Sequence, residues 1–313
     1  MRRREFLSAA AATSILSARP IVAADDAPAE PVRPPVGAFT KSFQDWPIPK
    51  VCEQFAKLGL DGLDLTVRPG GHIEPENAVA ELPGAVAAAE AAGVRVLFLT
   101  TGITDAGPQA DRLIGAAADN GVTELKLGYF RQRRAPLATL LDDLRRTIAE
   151  IAVLAEKRGV TACVHTHSGE YVPSHGTMLY QLLKDLPPER IGAYVDTLHM
   201  HLEGGGAGWR QGLELLAPWL RLCAVKNYRM EPAGRDRFGM AQYKETVVPI
   251  ADGVSSIPAF LKELKTRGFV GACSLHSEYR GRMSFRPMNV DQCLEQTRED
   301  WAFFRSVRDA VWA

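Results

Sequence analysis

The sequence predicts an α/β fold, a single (β/α)8 barrel of the TIM type, and three observations carry that reading. From Gly37 onward, short apolar runs rich in Val, Leu and Ile alternate with longer stretches at helical period, the pattern of successive βα units. The runs number eight, and eight repeats over about 275 residues suit a barrel, for which about 250 residues is typical. No glycine fingerprint follows the first run. Gly204-Gly205-Gly206 comes late and fits neither G-x-G-x-x-G nor a phosphate-binding loop, which argues against an open dinucleotide-binding sheet.

The predicted strands lie at 36–39, 62–65, 94–99, 124–128, 161–164, 191–195, 220–225 and 270–275. Between them run amphipathic stretches. The clearest covers 137–158, where Leu140, Leu141, Leu144, Ile148, Ile151 and Leu154 recur at three- and four-residue steps. Gly59, Gly93, Gly121, Gly159 and Gly268 stand where helices give way to the next strand, the usual place for a left-handed C-terminal residue. The barrel is expected to occupy 37–313, and its geometry brings the C-terminal ends of all strands to one mouth.

Composition narrows the class. Of 313 residues, 46% are hydrophobic and 37 basic residues balance 37 acidic ones, which excludes a disordered chain, a collagenous fibre and a highly basic nucleic-acid binder. The five cysteines show no CxxC spacing, so they read as buried thiols rather than a disulfide framework or a zinc site. At the N-terminus, Arg2-Arg3-Arg4-Glu5-Phe6-Leu7 precedes a short apolar stretch and a small-residue end at Ala23-Ala24. That order resembles a twin-arginine signal peptide over 1–24, too short in its apolar part for a stable span. Cleavage there would remove four arginines and one glutamate and leave a net charge of −3. Residues 25–36 are Pro-rich and read as a linker. The expected location is therefore periplasmic or otherwise extracytoplasmic, with no membrane anchor after cleavage.

The seven histidines give the sharpest functional signal. His165, His167, His175, His199, His201, His276 and His72 all follow or end predicted strands, and none falls in a predicted helix body. Asp64, Asp196 and Glu278 join them at strand ends. Imidazole and carboxylate from separate strands are ligand chemistry for Zn, Mn or Fe(II). The alternative for Asp196 is a helix N-cap or a loop salt bridge. Lys226 ends the seventh run, where it could polarise a carbonyl, bind an anion or pair with Asp196 or Glu278. No G-x-S-x-G occurs, and Arg131, Arg133 and Arg134 form a cluster that a solvated loop explains.

These residues resemble the xylose-isomerase-like barrels, the sugar phosphate isomerase/epimerase or AP-endonuclease-2-like proteins, over nearly all the chain after residue 36. Asp196-Thr197-Leu198-His199-Met200-His201-Leu202-Glu203 is similar to the D-T-x-H-M-x-x-E segment of ketose 3-epimerases. Thr166-His167-Ser168-Gly169, Glu203-Gly204-Gly205 with Trp209, and Val225-Lys226-Asn227 also match. Gly271 to Tyr279 resembles the G-P-I-S-x-H-x-E-Y ending of an exported branch.

The resemblance implies one divalent metal held by Glu, Asp, His and Glu from the fifth to eighth strands. Carried across, those positions are His165, Asp196, Ala224 and His276, so only Asp196 keeps its identity. The expected metal ligands are accordingly His165, Asp196 and His276, for Mn, Zn, Mg or Fe. Glu278, His199, Lys226 and His167 are expected in catalysis, and Asp64, His201, Trp209 and Tyr279 at the substrate. The implied activity is proton transfer next to the carbonyl of a sugar or keto-sugar, by isomerisation or epimerisation. A lyase or hydratase acting on 3-keto-sugars and a non-catalytic carbohydrate-binding barrel are the alternatives. The expected partner is a small-molecule carbohydrate, with no nucleic acid; a homo-oligomer is left open.

Overall fold

The computed structural model describes residues 32–132 and 136–313. The twin-arginine segment, most of the Pro-rich linker, and Arg133 and Arg134 lie outside the described residues.

Eight parallel strands close into a ring: β1 (Val36–Phe39), β2 (Gly62–Val67), β3 (Arg95–Thr101), β4 (Glu124–Lys126), β5 (Thr161–His165), β6 (Ile191–Asp196), β7 (Leu220–Val225) and β8 (Ala272–Leu275). Each pairs with its sequence neighbours, and β8 returns to β1 with Gly37 opposite both Gly62 and Ser274. Among the described residues eight α-helices cover the outside: α1 (Ile48–Leu58), α2 (Ala78–Ala91), α3 (Pro108–Asp119), α4 (Leu137–Glu156), α5 (Gly176–Leu183), α6 (Thr197–Leu216), α7 (Ile257–Thr266) and α8 (Val290–Val311). All eight expected strands are present. The five glycines predicted to end helices all adopt positive φ, from 68° to 79°. In α4, Leu144, Ile148 and Ile151 are buried at the predicted spacing. All five cysteines are free and buried, and no helix among the described residues is long and apolar enough to cross a membrane.

Packing falls into two zones. The large one lies between strands and helices; a smaller one fills the ring with Phe98, Cys163, Tyr194, Leu222, Ala224 and Ala272. Above this inner plug the barrel turns polar, and that boundary sets the depth of the mouth.

Two features escape the repeat pattern. Between β7 and α7 the chain forms an antiparallel hairpin, Asn227–Arg235 with Ala241–Val248, rising from the mouth. Asn227 pins its base. Its amide donates to the carbonyls of Ile250 and Ser255 at 2.8 and 2.9 Å, and its carbonyl accepts from the backbone of Tyr228 and Ser255. The second feature is Gly205, whose φ of 56° and ψ of −151° break α6 near its middle. Only glycine adopts that region readily.

Gly62 tests the closeness of the ring. A Cβ there would lie 2.1 Å from the Arg95 carbonyl oxygen and 2.8 Å from Leu97 Cγ. Backbone cannot give way as a side chain tip can, so Gly62→Ala is expected to destabilise the protein by about 1–3 kcal/mol, as overpacking does. Denaturant unfolding checks this, with Gly84→Ala as control, since nothing lies within 4 Å of its added methyl.

Candidate active site

β6 ends in Asp196, and α6 begins at once. Asp196 takes the N-cap position: its Oδ1 accepts from the backbone N–H of Leu198 at 2.8 Å and of His199 at 3.1 Å. The capping role anticipated as an alternative is therefore real, but it uses one oxygen only. Oδ2 faces the mouth, 3.4 Å from His165 Nε2, 3.8 Å from His199 Nε2 and 3.4 Å from Lys226 Nζ. The cap also draws His199 and His201 into the first turns of α6, correcting the expectation that no histidine lies in a helix.

Lys226 follows β7 directly. Thr197 locates it, donating its hydroxyl to the Lys226 carbonyl at 2.6 Å and accepting the Lys226 N–H at 3.0 Å. The ammonium lies between Asp196 and Glu278, 3.1 Å from Glu278 Oε2. Lys41, just past β1, holds the other Glu278 oxygen at 2.6 Å.

The charge states follow from these distances. Burial opposes the charge on Lys226, but Asp196 and Glu278 outweigh it and raise its pKa above the ordinary lysine range. Burial likewise opposes ionisation of Glu278, and Lys226 and Lys41 outweigh it, holding the carboxyl well below the usual range. Asp196 is held low in the same way against its burial. With His199 itself kept neutral by burial, the charge that holds Asp196 ionised is that of Lys226. Burial also lowers His165 to about 3 and His167 to about 4, the latter helped by Lys226. The mouth thus holds two ammonium groups, two carboxylates and three neutral imidazoles.

Above this layer opens a cavity of about 900 Å³, within the range of ligand sites. His167, His199, Lys226 and Glu278, the four residues expected in catalysis, all line it. The sequence reading missed Lys41 and Glu245, which also face it. Lys41 stands two residues beyond the first apolar run, a strand-end position that the pattern alone could have flagged. Glu245 comes from the hairpin, which carried no periodic signal. Burial, with Asp196 and Glu278 nearby, raises the Glu245 carboxyl. Ser168 Oγ lies 2.8 Å from His199 Nδ1 and fixes that ring. Lys126, inside the fourth run, is 1% exposed beneath the mouth, its amine 3.4 Å from the Tyr129 ring centre and its pKa held well down by burial.

Four expected residues lie elsewhere. Asp64 stands in mid-strand, not at the end of β2. It is fully buried and takes bonds from Thr100 and from the Ser274 and Tyr194 hydroxyls, leaving no free oxygen for a substrate. His201 and Trp209 stack on each other, with centroids 4.4 Å apart, at a separate surface hollow outside the main cavity. Tyr279 is 1% exposed and donates its hydroxyl to Asp300 under α8.

The expected metal trio does not come together either. His276 Nε2 points at the Tyr194 hydroxyl, 2.8 Å away, and at Asp64 rather than at Asp196. Ala224 sits opposite Asp196 in the β6–β7 register and offers only a methyl group. Asp196 has one oxygen left, and Lys226 already faces it. Among the described residues no three His, Cys, Asp or Glu side chains are placed to hold a metal ion. His165 Nε2, His199 Nε2 and Asp196 Oδ2 do converge without hydrogen bonds, but an ammonium already stands among them, and the set as placed does not fit a divalent cation.

Many families share the closed eight-strand ring with its polar mouth, and the chain belongs to one of them: a model of the xylose isomerase-like TIM barrel matches residues 50–307. Comparison with curated proteins gives no match. Among solved structures the chain resembles a 3-keto-D-glucoside 4-epimerase from E. coli at 14% identity, TM-score 0.64, covering 87% of this chain and 98% of that one. It resembles a xylose isomerase-like protein from Mycobacterium smegmatis, solved in complex with magnesium, at 16% identity and TM-score 0.64, over 90% and 98% of the two chains. A D-psicose 3-epimerase from Clostridium cellulolyticum H10, with D-tagatose, matches at 14% identity and TM-score 0.64, over 88% and 99%. At such identities the likeness is one of fold.

The neutral imidazoles make stability depend on pH. His165 and His167 titrate at about 3 and about 4 when folded, against 6.5 as the reference value. Between those limits the unfolded chain binds more protons, so stability is complete above about pH 6.5 and falls as pH drops towards 4. Thermal unfolding from pH 7 to 4 should show this loss, and His165→Gln should show a shallower one. Equal slopes would contradict a buried neutral His165.

Proposed function

We propose that the protein is an enzyme that moves a proton next to the carbonyl of a sugar or keto-sugar, exported through its N-terminal twin-arginine signal. The observation that carries the reading is the facing of Glu278, Lys226, His167 and Glu245 across one cavity of carbohydrate size. Two carboxylates in one pocket, one pushed down and one pushed up, are the arrangement that separates base from acid.

In this reading the substrate carbonyl oxygen lies at Lys226. Accepting a hydrogen bond there draws the ammonium away from Glu278, which matters because a carboxylate held so low is a poor base at rest. Glu278 then takes the proton from the adjacent carbon. The C–H electron pair moves into the carbonyl, and the ammonium stabilises the resulting enediolate oxygen. Return of a proton from Glu245 to the opposite face gives the epimer. Return to the neighbouring carbon gives the isomer, and departure of a group from the next carbon gives elimination. The similarity to a 3-keto-D-glucoside 4-epimerase and a D-psicose 3-epimerase supports the substrate class, and the cavity volume admits a glycoside as readily as a single sugar ring.

Solvent deuterium is the direct test. Incubated in D2O with ketoses and 3-keto-glycosides, the protein should place deuterium on the carbon beside the carbonyl, read by NMR or mass spectrometry. Glu278→Gln should slow exchange by about 100-fold or more, the usual worth of a positioned base. Glu245→Gln should slow product formation while sparing part of the exchange. Saturable sugar binding with no deuterium in any candidate would mean a carbohydrate-binding barrel instead.

A further inference from the structure

We propose that the Lys226 ammonium stands where a divalent cation would sit at this barrel mouth, so that the protein polarises its substrate without a metal. This deepens the reading above and rests on it for the identity of the reaction, though not for the question of metal.

Charge balance is the first argument. Asp196 and Glu278 supply two negative charges, and Lys226 and Lys41 supply two positive ones within 2.6 to 3.4 Å of them. The cluster is neutral as it stands. A divalent ion would place two uncompensated positive charges among groups taken out of water, which is costly in a medium of low dielectric constant.

Placement is the second. Asp196 ends β6 and Glu278 lies just beyond β8, while Lys226 rises from the end of β7 between them. In the two positions before it on that strand, Ala224 and Val225 bring no donor to the mouth. The cation at the centre of the carboxylates is therefore covalently part of the strand that lacks a ligand. Donor capacity is the third argument. Asp196 Oδ1 is committed to the α6 N-terminus, both Glu278 oxygens face ammonium groups, and His276 is turned to Tyr194. One arrangement points the other way: His165 Nε2, His199 Nε2 and Asp196 Oδ2 face one another at 3.4 and 3.8 Å, all buried and none with a hydrogen-bond partner. Two imidazoles and a carboxylate are zinc chemistry, so zinc belongs in the test.

The experiment titrates the mature protein, freed of metal by chelation and dialysis, with Mn2+, Mg2+ and Zn2+ by calorimetry and measures retained metal by elemental analysis. The proposal expects no stoichiometric binding of any of the three. It also expects chelated protein to keep its sugar binding and deuterium exchange undiminished. Lys226→Met should lose exchange by about 100-fold or more, in line with removal of a charge-stabilising donor, and Lys226→Arg should recover part of it. Should Lys226→Met fail to fold, the arginine variant and the metal titration of the unaltered protein still decide. One equivalent of metal bound by the unaltered protein and lost in Asp196→Asn would overturn the proposal, as would exchange that chelation abolishes and metal restores. If no sugar exchanges a proton, the reaction assigned above fails, but the titration still answers whether the mouth holds a metal.

Discussion

A carboxylate removed from water is stable only if its charge is met by another or by hydrogen bonds on every open side, and Asp196, with no exposed surface, satisfies that demand in two directions. One oxygen receives the first N–H groups of α6, where the helix dipole favours negative charge. The other meets the Lys226 ammonium. The start of α6, the Lys226 ammonium and the Nε2 atoms of His165 and His199 all meet at this one side chain. Replacing it would uncap the helix and remove one of the two carboxylates that face the buried ammonium.

The same carboxylate explains why chemistry gathers on one side of the ring. The polar groups of the mouth come mainly from β5 to β8 and the segments that follow them. The first half of the barrel contributes Lys41, whose task is to hold the Glu278 oxygen that Lys226 does not. Beneath them, Asp64, Thr100, Tyr194, Ser274 and His276 form a closed layer of hydrogen bonds. That layer looks like a site when read along the chain, because it is made of the same residue types. In space it is a floor. Its donors and acceptors are spent on one another, whereas those above it are spent on charge and still face the cavity.

The eight strands were legible because burial on both faces leaves continuous apolar runs, and the helix ends were legible because a left-handed turn wants glycine. His167, His199, Lys226 and Glu278 were legible because a barrel delivers strand ends to one mouth. Depth was not. Nothing in the order of residues tells that Asp64 sits mid-strand with every oxygen engaged, or that Tyr279 turns outward to Asp300. The hairpin was illegible for a related reason: most of it, from Arg229 to Lys244, is exposed and leaves no apolar run, and Glu245, at the edge of its buried base, was hidden with it. The three expected metal ligands do not converge for a reason of direction, since His276 stands at a ligand position and points at Tyr194.

Gly205 gives the mouth a mechanical property. α6 carries His199 and Glu203 at the end that lines the cavity, while its far half packs against α5, where Gly176 and Gly212 let the two backbones nearly touch. An unbroken rod would act as a lever, turning any shift of the outer packing into a larger displacement at the tip. The break removes the lever. The first turns are anchored to Asp196 and the rest to its neighbours, so a shift of the outer half can be taken up at a single glycine before it reaches the groups that line the cavity.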